Sequence, residues 1–385
     1  MFLSFYLALK EIWRNRGRFF LVALVIALIT LLVLFIAALG EGLATNNRQY
    51  IANLDAQLVV FLDKSDYIVS SSRLDQSVLK AVRRVPGVAA AGPISTSTTA
   101  IMLDNGQVLK VSLLGVEPDQ PGLPLVIQGR TFQTQLAKEV VIDKNVALRS
   151  DIKVGDEITI RSTQGTKDQF FTLQVVGLTE GEAYTFQPTI FVPPSTWERV
   201  RPKSASEADK TIPDINVIAV KLDDLTQTQA MIARLTNSVS NIQVADIPTT
   251  INNIPGYSAQ QGTVQTQGVF TLLIGVLVIG GFFQIQVLQK VPQIGVLKAI
   301  GSSNGVVGAA AVIQIMVTTA LGVGIGGLFT YVFSLFFPPT IPLVFNGTAS
   351  ALAILALLLI GPAGGLVSVI YAVRIEPLKA LRLSQ

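Results

Sequence analysis

Two stretches of the chain contain no charged side chain, one between Asp246 and Lys290 and the other between Lys298 and Arg374. Neither length fits a water-facing domain, whose exposed surface needs ionisable groups. The charges are gathered elsewhere: residues 45–265 hold 42 of the 54, and the other 164 residues hold 12. A wholly soluble protein is excluded, and so is one that lies wholly in a membrane. The overall charged share of 14% falls below the roughly 25% of ordinary soluble domains.

A helix needs ~20 mostly apolar residues to cross the hydrocarbon layer. Four segments supply them: 19–40, 268–289, 305–337 and 349–373. The first is longer than the ~7–15 apolar residues of a signal peptide and is expected to be a permanent span. Lys10, Arg14, Arg16 and Arg18 precede it, Lys290 and Lys298 lie in the loop 290–304, and Arg374, Lys379 and Arg382 follow the fourth span. The loop 338–348 carries no basic residue. Basic flanks mark the cytoplasmic side. Both termini, including the tail 374–385, and the loop 290–304 are therefore expected on the cytoplasmic side, with residues 45–265 outside. In residues 1–18, Phe2, Phe5, Tyr6, Leu9, Ile12 and Trp13 share one helical face. That pattern fits an amphipathic helix in the inner interface, or an N-terminal extension of the first span.

The fold class expected is membrane α-helical, with four spans and a large extracytoplasmic α+β ectodomain. Strand, helix and strand patterns at 57–62, 74–84 and 88–101 recur at 216–222, 225–240 and 242–247, suggesting two halves of one module joined in space. Between them, about 111–200 alternates in short apolar runs broken by Gly155-Asp156 and Gly165. This reads as an inserted β-rich subdomain.

The chain has no cysteine and no histidine, which excludes disulfides, Ser–His–Asp triads and the usual zinc sites. The ectodomain carboxylates show no acid–base or metal spacing. Asp223-Asp224 precedes a helix pattern, where capping is expected, and Asp151 and Asp156-Glu157 flank a turn. No G-x-x-x-x-G-K-[ST] phosphate loop occurs, so no ATP binding of that kind is expected here. The cluster Gly322–Gly327 lies inside an apolar span and is expected to serve helix packing. The net charge of +4 sits beside the spans and not in a nucleic-acid-sized patch. No metal, catalytic residue or nucleic-acid partner is expected.

Residues 289–308 read QKVPQIGVLKAIGSSNGVVG. With apolar Ile294, Val296, Leu297 and Ile300 beside basic Lys290 and Lys298, this is either a short amphipathic helix offered to a cytoplasmic partner or a plain re-entry turn. Here QIGVLKAIGSS resembles the E-I-G-[IV]-[LM]-[KR]-A-[IL]-G-[AS] signature of MacB/FtsX-type ABC transporter permeases. ALKEIWRNRGR at 8–18 and RIEPLKALR at 374–382 are similar to that family's N-terminal flank and tail. GRTF at 129–132, EVVID at 139–143, LRSDIKVGDEI at 148–158 and FTLQVVGL at 171–178 resemble its ectodomain phrases. The P-Q-I-G-V-L-K-A-I-G variant, with GLATNNR at 42–48, looks most like the haem-regulated exporter permease branch, with the heterocyst glycolipid exporter permeases as relatives.

The resemblance implies a permease that pairs with a second copy of itself and docks two copies of a separate ABC ATPase, which carries ATP and magnesium. This chain itself would bind no cofactor. The family's coupling helix maps onto Pro292, Gln293, Ile294, Gly295, Val296, Leu297, Lys298, Ile300 and Gly301, although Gln293 stands where many members have glutamate. The same likeness implies outward extrusion of an amphipathic cargo, with haem favoured. Candidate cargo contacts are Glu41, Tyr331, Phe333 and Phe270. Glu41 could equally sit in headgroup water, and the aromatics could form an interfacial belt. The alternative is a mechanical transmitter that drives a periplasmic adaptor or lipid export, or activates an extracellular hydrolase, with no cargo passing through it.

Overall fold

The computed structural model describes residues 2–204, 215–338 and 341–375; most of the tail motif, with Lys379 and Arg382, lies outside them. The chain divides into two units, Leu43–Gln260 and the remainder formed by Met1–Gly42 with Gln261–Gln385.

The second of these is a helical bundle. Helix α1 (Phe2–Arg14) is followed, after Asn15, by α2 (Arg16–Ala52). Later come α8 (Tyr257–Gln289), α9 (Val291–Ala299), α10 (Asn304–Ser334) and α11 (Gly347–Arg374). Four of them, α2, α8, α10 and α11, are long and apolar enough to cross a membrane. Two exceed the expected spans: α2 runs past Gly40 to Ala52, and α8 begins at Tyr257.

Small residues set the packing of this bundle. A Cβ on Gly326 would lie 2.5 Å from the Ala27 carbonyl oxygen and 2.6 Å from Thr30 Cβ; one on Gly322 would lie 2.6 Å from Ile26 Cβ. These two glycines, four residues apart, form the face of α10 that meets α2. Gly280 and Gly364 bring α8 against α11 in the same way, and Gly361 lies against Thr319. In lipid no hydrophobic force pulls apolar helices together, so close backbone approach takes its place.

The ectodomain is one ten-stranded sheet. Strands β1 (Leu58–Leu62), β2 (Val88–Met102), β9 (Val217–Leu222) and β10 (Ile242–Asp246) lie in the order β10-β1-β9-β2, every neighbour antiparallel. With helices α3 (Gln76–Val82) and α6 (Thr228–Ser238), this is a ferredoxin-like β-α-β-β-α-β arrangement, followed by the short helix α7 (Ile247–Asn252). Alternation sorts the side chains to two faces. Leu58, Val60, Ile218 and Val220 pack with Leu79 and Val82 of α3 and Met231 and Leu235 of α6. On the other face, Val59, Phe61, Val217 and Ala219 pack with Tyr50 and Ile51 from the end of α2.

Inserted between β2 and β9 are β3 (Val108–Val116), β4 (Val126–Gly129), β5 (Glu139–Asp143), α4 (Lys144–Ser150), β6 (Glu157–Gln164), β7 (Lys167–Thr179), β8 (Thr189–Val192) and α5 (Pro194–Val200). The ladder runs β2-β3-β8-β5-β7-β6 and back to β2, a closed ring whose interior holds Ile101, Leu113, Val140, Ile142, Ile160, Leu173 and Ile190. The insert shares its sheet with the rest of the ectodomain. Strand β2 pairs with β9 through Ile94 and with β3 from Ile94 onward, because its 15 residues are long enough to serve both parts.

Asn216, 2% exposed, ties this junction. Its Oδ1 accepts from the Thr96 N–H at 2.7 Å, and its Nδ2 donates to the carbonyls of Val69 and Ser72 at 3.1 and 3.0 Å.

Candidate functional site

The expected coupling residues form α9 and the turn that closes it. Pro292 occupies the first turn of α9, where a missing N–H costs nothing. The Gly301 N–H bonds the Lys298 carbonyl at 3.0 Å, and the Ser302 N–H reaches back to the Leu297 carbonyl at 3.1 Å. Gly301 has φ +105°. This is a Schellman cap, which requires the left-handed conformation that glycine adopts freely. Ser303 then caps α10 by accepting from the Val306 N–H. The Ile-Gly-Ser-Ser run is thus a helix stop followed at once by a helix start.

The apolar residues of α9 do not share one face. Ile294 and Leu297 are half-buried against Val287, Val307 and Ala372 of the bundle, while Val296 is 44% and Ile300 81% exposed. Reading Ile294, Val296, Leu297 and Ile300 as one side offered to a partner is therefore corrected: the exposed residues are Gln293, Val296, Ala299 and Ile300. The reason is geometric. Ile300 lies beyond the last helical residue, where the turn redirects it. Lys298 is not outward-facing either, since its Nζ donates to the carbonyls of Val373 and Ile375 at 2.6 and 3.0 Å. Those are C-terminal carbonyls of α11, a favourable seat for a cation.

A second cluster joins α1, α2, α10 and the junction between α8 and α9. Lys290 Nζ lies 2.6 Å from Glu11 Oε1, Gln314 Nε2 donates to Glu11 Oε2 at 2.6 Å, and Lys290 stands over the Phe19 ring. Beside it is a cavity of about 550 Å³ lined from α1, α8, α9, α10 and α11. Sequence reasoning missed this cluster. The signal was available in Gln314, a carboxamide inside an apolar span and only 7% exposed, since buried polar groups at that depth are costly.

The four cargo candidates are not brought together. Phe333 lines a small crevice with Phe35, Phe337, Leu343 and Phe345. Tyr331 and Phe270 are 64% and 61% exposed. Neither the crevice nor the large cavity is lined by Glu41, Tyr331 or Phe270. Tyr331 and Phe333 point apart because residues two apart on a helix do not share a face.

Among the described ectodomain residues, no cluster could hold a metal ion. Two buried carboxyls do stand together. Asp143 caps α4 through the Val146 N–H at 2.8 Å and also accepts from the Glu182 N–H at 3.2 Å. Burial pushes Asp143 up to about 6, against the pull of its hydrogen bonds. Burial likewise pushes Glu182 up to about 8; the Asn53 carboxamide opposes this and the Asp143 charge adds to it. Asp224 caps the turn at Leu225–Gln227, as a carboxylate before a helix should.

Residues 19–238 match the model of the MacB-like periplasmic core domain, and residues 267–377 match that of the FtsX-like permease C-terminal region. The first match alone covers more than half of the chain. The chain belongs to the MacB/FtsX-type family of ABC transporter permeases. It is similar to a protein of Staphylococcus haemolyticus named as a hemin transport system permease, HrtB, at 26% identity over 97% of this chain and 98% of that one. A Staphylococcus epidermidis protein of the same name is 22% identical over the same shares. An ABC transporter permease of Mycobacterium bovis is 23% identical over 87% of each chain. Among solved structures, the periplasmic region of MacB from Actinobacillus actinomycetemcomitans matches at 18% identity with a TM-score of 0.38, covering 54% of this chain and 97% of that one. The permease is a membrane component of a family that works with an ABC ATPase partner, and such permeases are generally not catalytic themselves.

Proposed function

We propose that this permease is the membrane half of an exporter, in which ATP hydrolysis by a separate ABC ATPase drives an amphipathic cargo outward. In this reading the termini and α9 face the cytoplasm and residues 45–265 face outward. Two permease copies dock two ATPase subunits, and cargo enters from the outer leaflet between the first two spans. A hemin-like cargo is favoured because staphylococcal relatives are named as hemin transport permeases. With no histidine or cysteine in the chain, hemin would meet Glu41, Tyr331, Phe333 or Phe270, or methionine, and not the usual nitrogen or thiolate ligands.

The observation that carries the coupling role is the division of α9. One face is fixed to the bundle by Ile294, Leu297 and the Lys298 clamp, and the other leaves Val296 and Ile300 exposed. A rigidly held helix with unpaired apolar side chains suits a groove on a partner. The Schellman cap holds Ile300 at the tip. Adaptor coupling without cargo passage has one supporting feature: α2 and α8, at 37 and 33 residues, exceed the ~20 needed to cross the bilayer.

The test is Val296→Asp with Ile300→Asp. Each introduces a carboxylate that docking would have to desolvate, and truncating a true interface anchor alone costs ~2 kcal/mol or more, roughly thirtyfold in affinity. The variant should insert normally and fail to co-purify with the tagged ATPase. Wild-type retention and stimulation of the ATPase would remove α9 as the coupling element. Leu297→Asp is the poorer probe, because Leu297 packs inside the bundle.

A further inference from the structure

The cavity beside the Glu11–Lys290 pair is layered. At its α1 edge stand Lys10 and Arg14. Glu11, the one acidic residue in the lining, is engaged by Lys290 and Gln314, so the lining carries three cations to one anion. Deeper in are Gln286, 6% exposed, and Ser368, 1% exposed, whose hydroxyl has no hydrogen-bond partner among the described residues. Ser368 lies six residues before the end of α11, about 9 Å along the helix. Asn15, Gln293 and Gln314 add polar groups to the lining, and the rest of the wall is apolar, with Phe283, Val287, Ile315 and Val369 in it.

An unpartnered hydroxyl within a membrane helix bundle is costly, and such groups are normally satisfied. Cations on α1, buried hydrogen-bonding side chains on α8 and α11 and apolar side chains among them match the parts of one class of molecule. A glycerophospholipid presents an anionic phosphate, then ester carbonyls that only accept hydrogen bonds, then acyl chains. The volume of about 550 Å³ suits the headgroup and glycerol, leaving the acyl chains to follow the helix surface. A soluble partner is the poorer occupant, because an inserted loop would carry backbone polar groups into this depth.

We propose that this cavity binds an anionic glycerophospholipid of the inner leaflet, its phosphate at Lys10 and Arg14 and its ester carbonyls at Gln286 and Ser368. The site rests on the proposed orientation, with α1 and α9 on the cytoplasmic side. A lipid bound there touches both the interfacial helix and, through Ile294 and Leu297, the inner face of α9. Occupancy would thereby tie the position of the coupling helix to the composition of the membrane.

The experiment uses the full-length permease in phosphatidylcholine nanodiscs doped with a photo-crosslinkable phosphatidylglycerol. Crosslinks should map to α8 and α11 around Gln286 and Ser368, and exceed those of a matched phosphatidylcholine probe. Lys10→Gln with Arg14→Gln should lower phosphatidylglycerol labelling by about tenfold or more, given what each basic residue contributes near an anionic surface. Ser368→Ala removes a hydroxyl that no described residue uses, and should lower labelling a few-fold. It keeps the test decisive if the double variant assembles poorly. Equal labelling by the two lipids, competition by soluble glycerol 1-phosphate, or displacement of the lipid by bound ATPase would each overturn the proposal. In parallel, Ser303→Cys is tested for labelling by an impermeant thiol reagent in intact cells. External labelling there sinks the orientation itself, whereas internal labelling without lipid preference sinks only the lipid site.

Discussion

The ectodomain and the helical bundle, each within itself, differ in how much of the packing falls to backbone approach between elements. In the ectodomain the contacts are made by large side chains such as Phe61, Phe191 and Tyr50, all at or near zero exposure. In the bundle a core that includes Phe19, Ile26 and Phe283 is joined by close backbone approaches where side chains are missing, at Gly280, Gly322, Gly326 and Gly364. The contrast follows from the solvent. Water drives bulky apolar groups inward in proportion to the area removed from it. Lipid gives no such drive, so the helices gain by bringing their backbones close.

The sharpest break of that contrast is Gly326→Val. Its side chain would collide with the Ala27 carbonyl and Thr30, both on a continuous helix that cannot move locally. Loss of monodisperse protein after detergent extraction is expected, measured by fluorescence-detected size exclusion. Gly324, with nothing within 4 Å of its would-be Cβ, provides the control, and Gly324→Ala should extract like wild type. If both variants behave alike, the packing role assigned to Gly326 fails.

Next in size is Phe191→Ala in the ectodomain. Phe191 is fully buried and meets Tyr50 with ring centroids 5.6 Å apart. Truncating a buried aromatic costs ~3–5 kcal/mol. The exchange protection of ectodomain amides should fall sharply while that of α10 and α11 is kept, and a loss spread evenly over both units would contradict the division.

The smallest effect concerns Asp143 and Glu182. Both acids are raised in the folded state, so the folded chain holds protons that the unfolded chain would release. Stability from this source is fully present below the ordinary carboxylate range. It is lost as pH rises through about 6 for Asp143 and about 8 for Glu182. The ectodomain should therefore melt lower at pH 9 than at pH 6.5, and Glu182→Gln should narrow that gap. An unchanged gap would show that Glu182 is not the responsible proton site.

Much of the fold was legible because both units have simple periodicities. Uncharged lengths announced α2, α8, α10 and α11, and β-branched runs announced β1, β8 and β9. The closed ring was not legible, since nothing local in Val88–Met102 says that a strand changes partners at Ile94. Short helices α4 and α5 were missed for a similar reason: seven residues each carry too little period to stand out. At the coupling site the sequence pattern left a short helix and a re-entry turn both open, and the structure has a helix there, Val291–Ala299. The pattern could not reveal which face is spent internally, because Leu297 and Lys298 find their partners in α8, α10 and α11, at or near their ends. The Glu11–Lys290–Gln314 cluster was hidden by distance along the chain, with more than 300 residues between Glu11 and Gln314.

The shared strand β2 bears on how this ectodomain could be recombined. A modular insertion can be cut out at its two necks, but here one neck is the middle of a strand and the other is Asn216, which bonds Thr96, Val69 and Ser72 at once. Chimeras that exchange the barrel between permeases at Val111 would split a ladder in two. Joints at Ile94 and Asn216 would keep each hydrogen-bonded register with its own donor, making the seam for transplanting a barrel a single residue wide on either side.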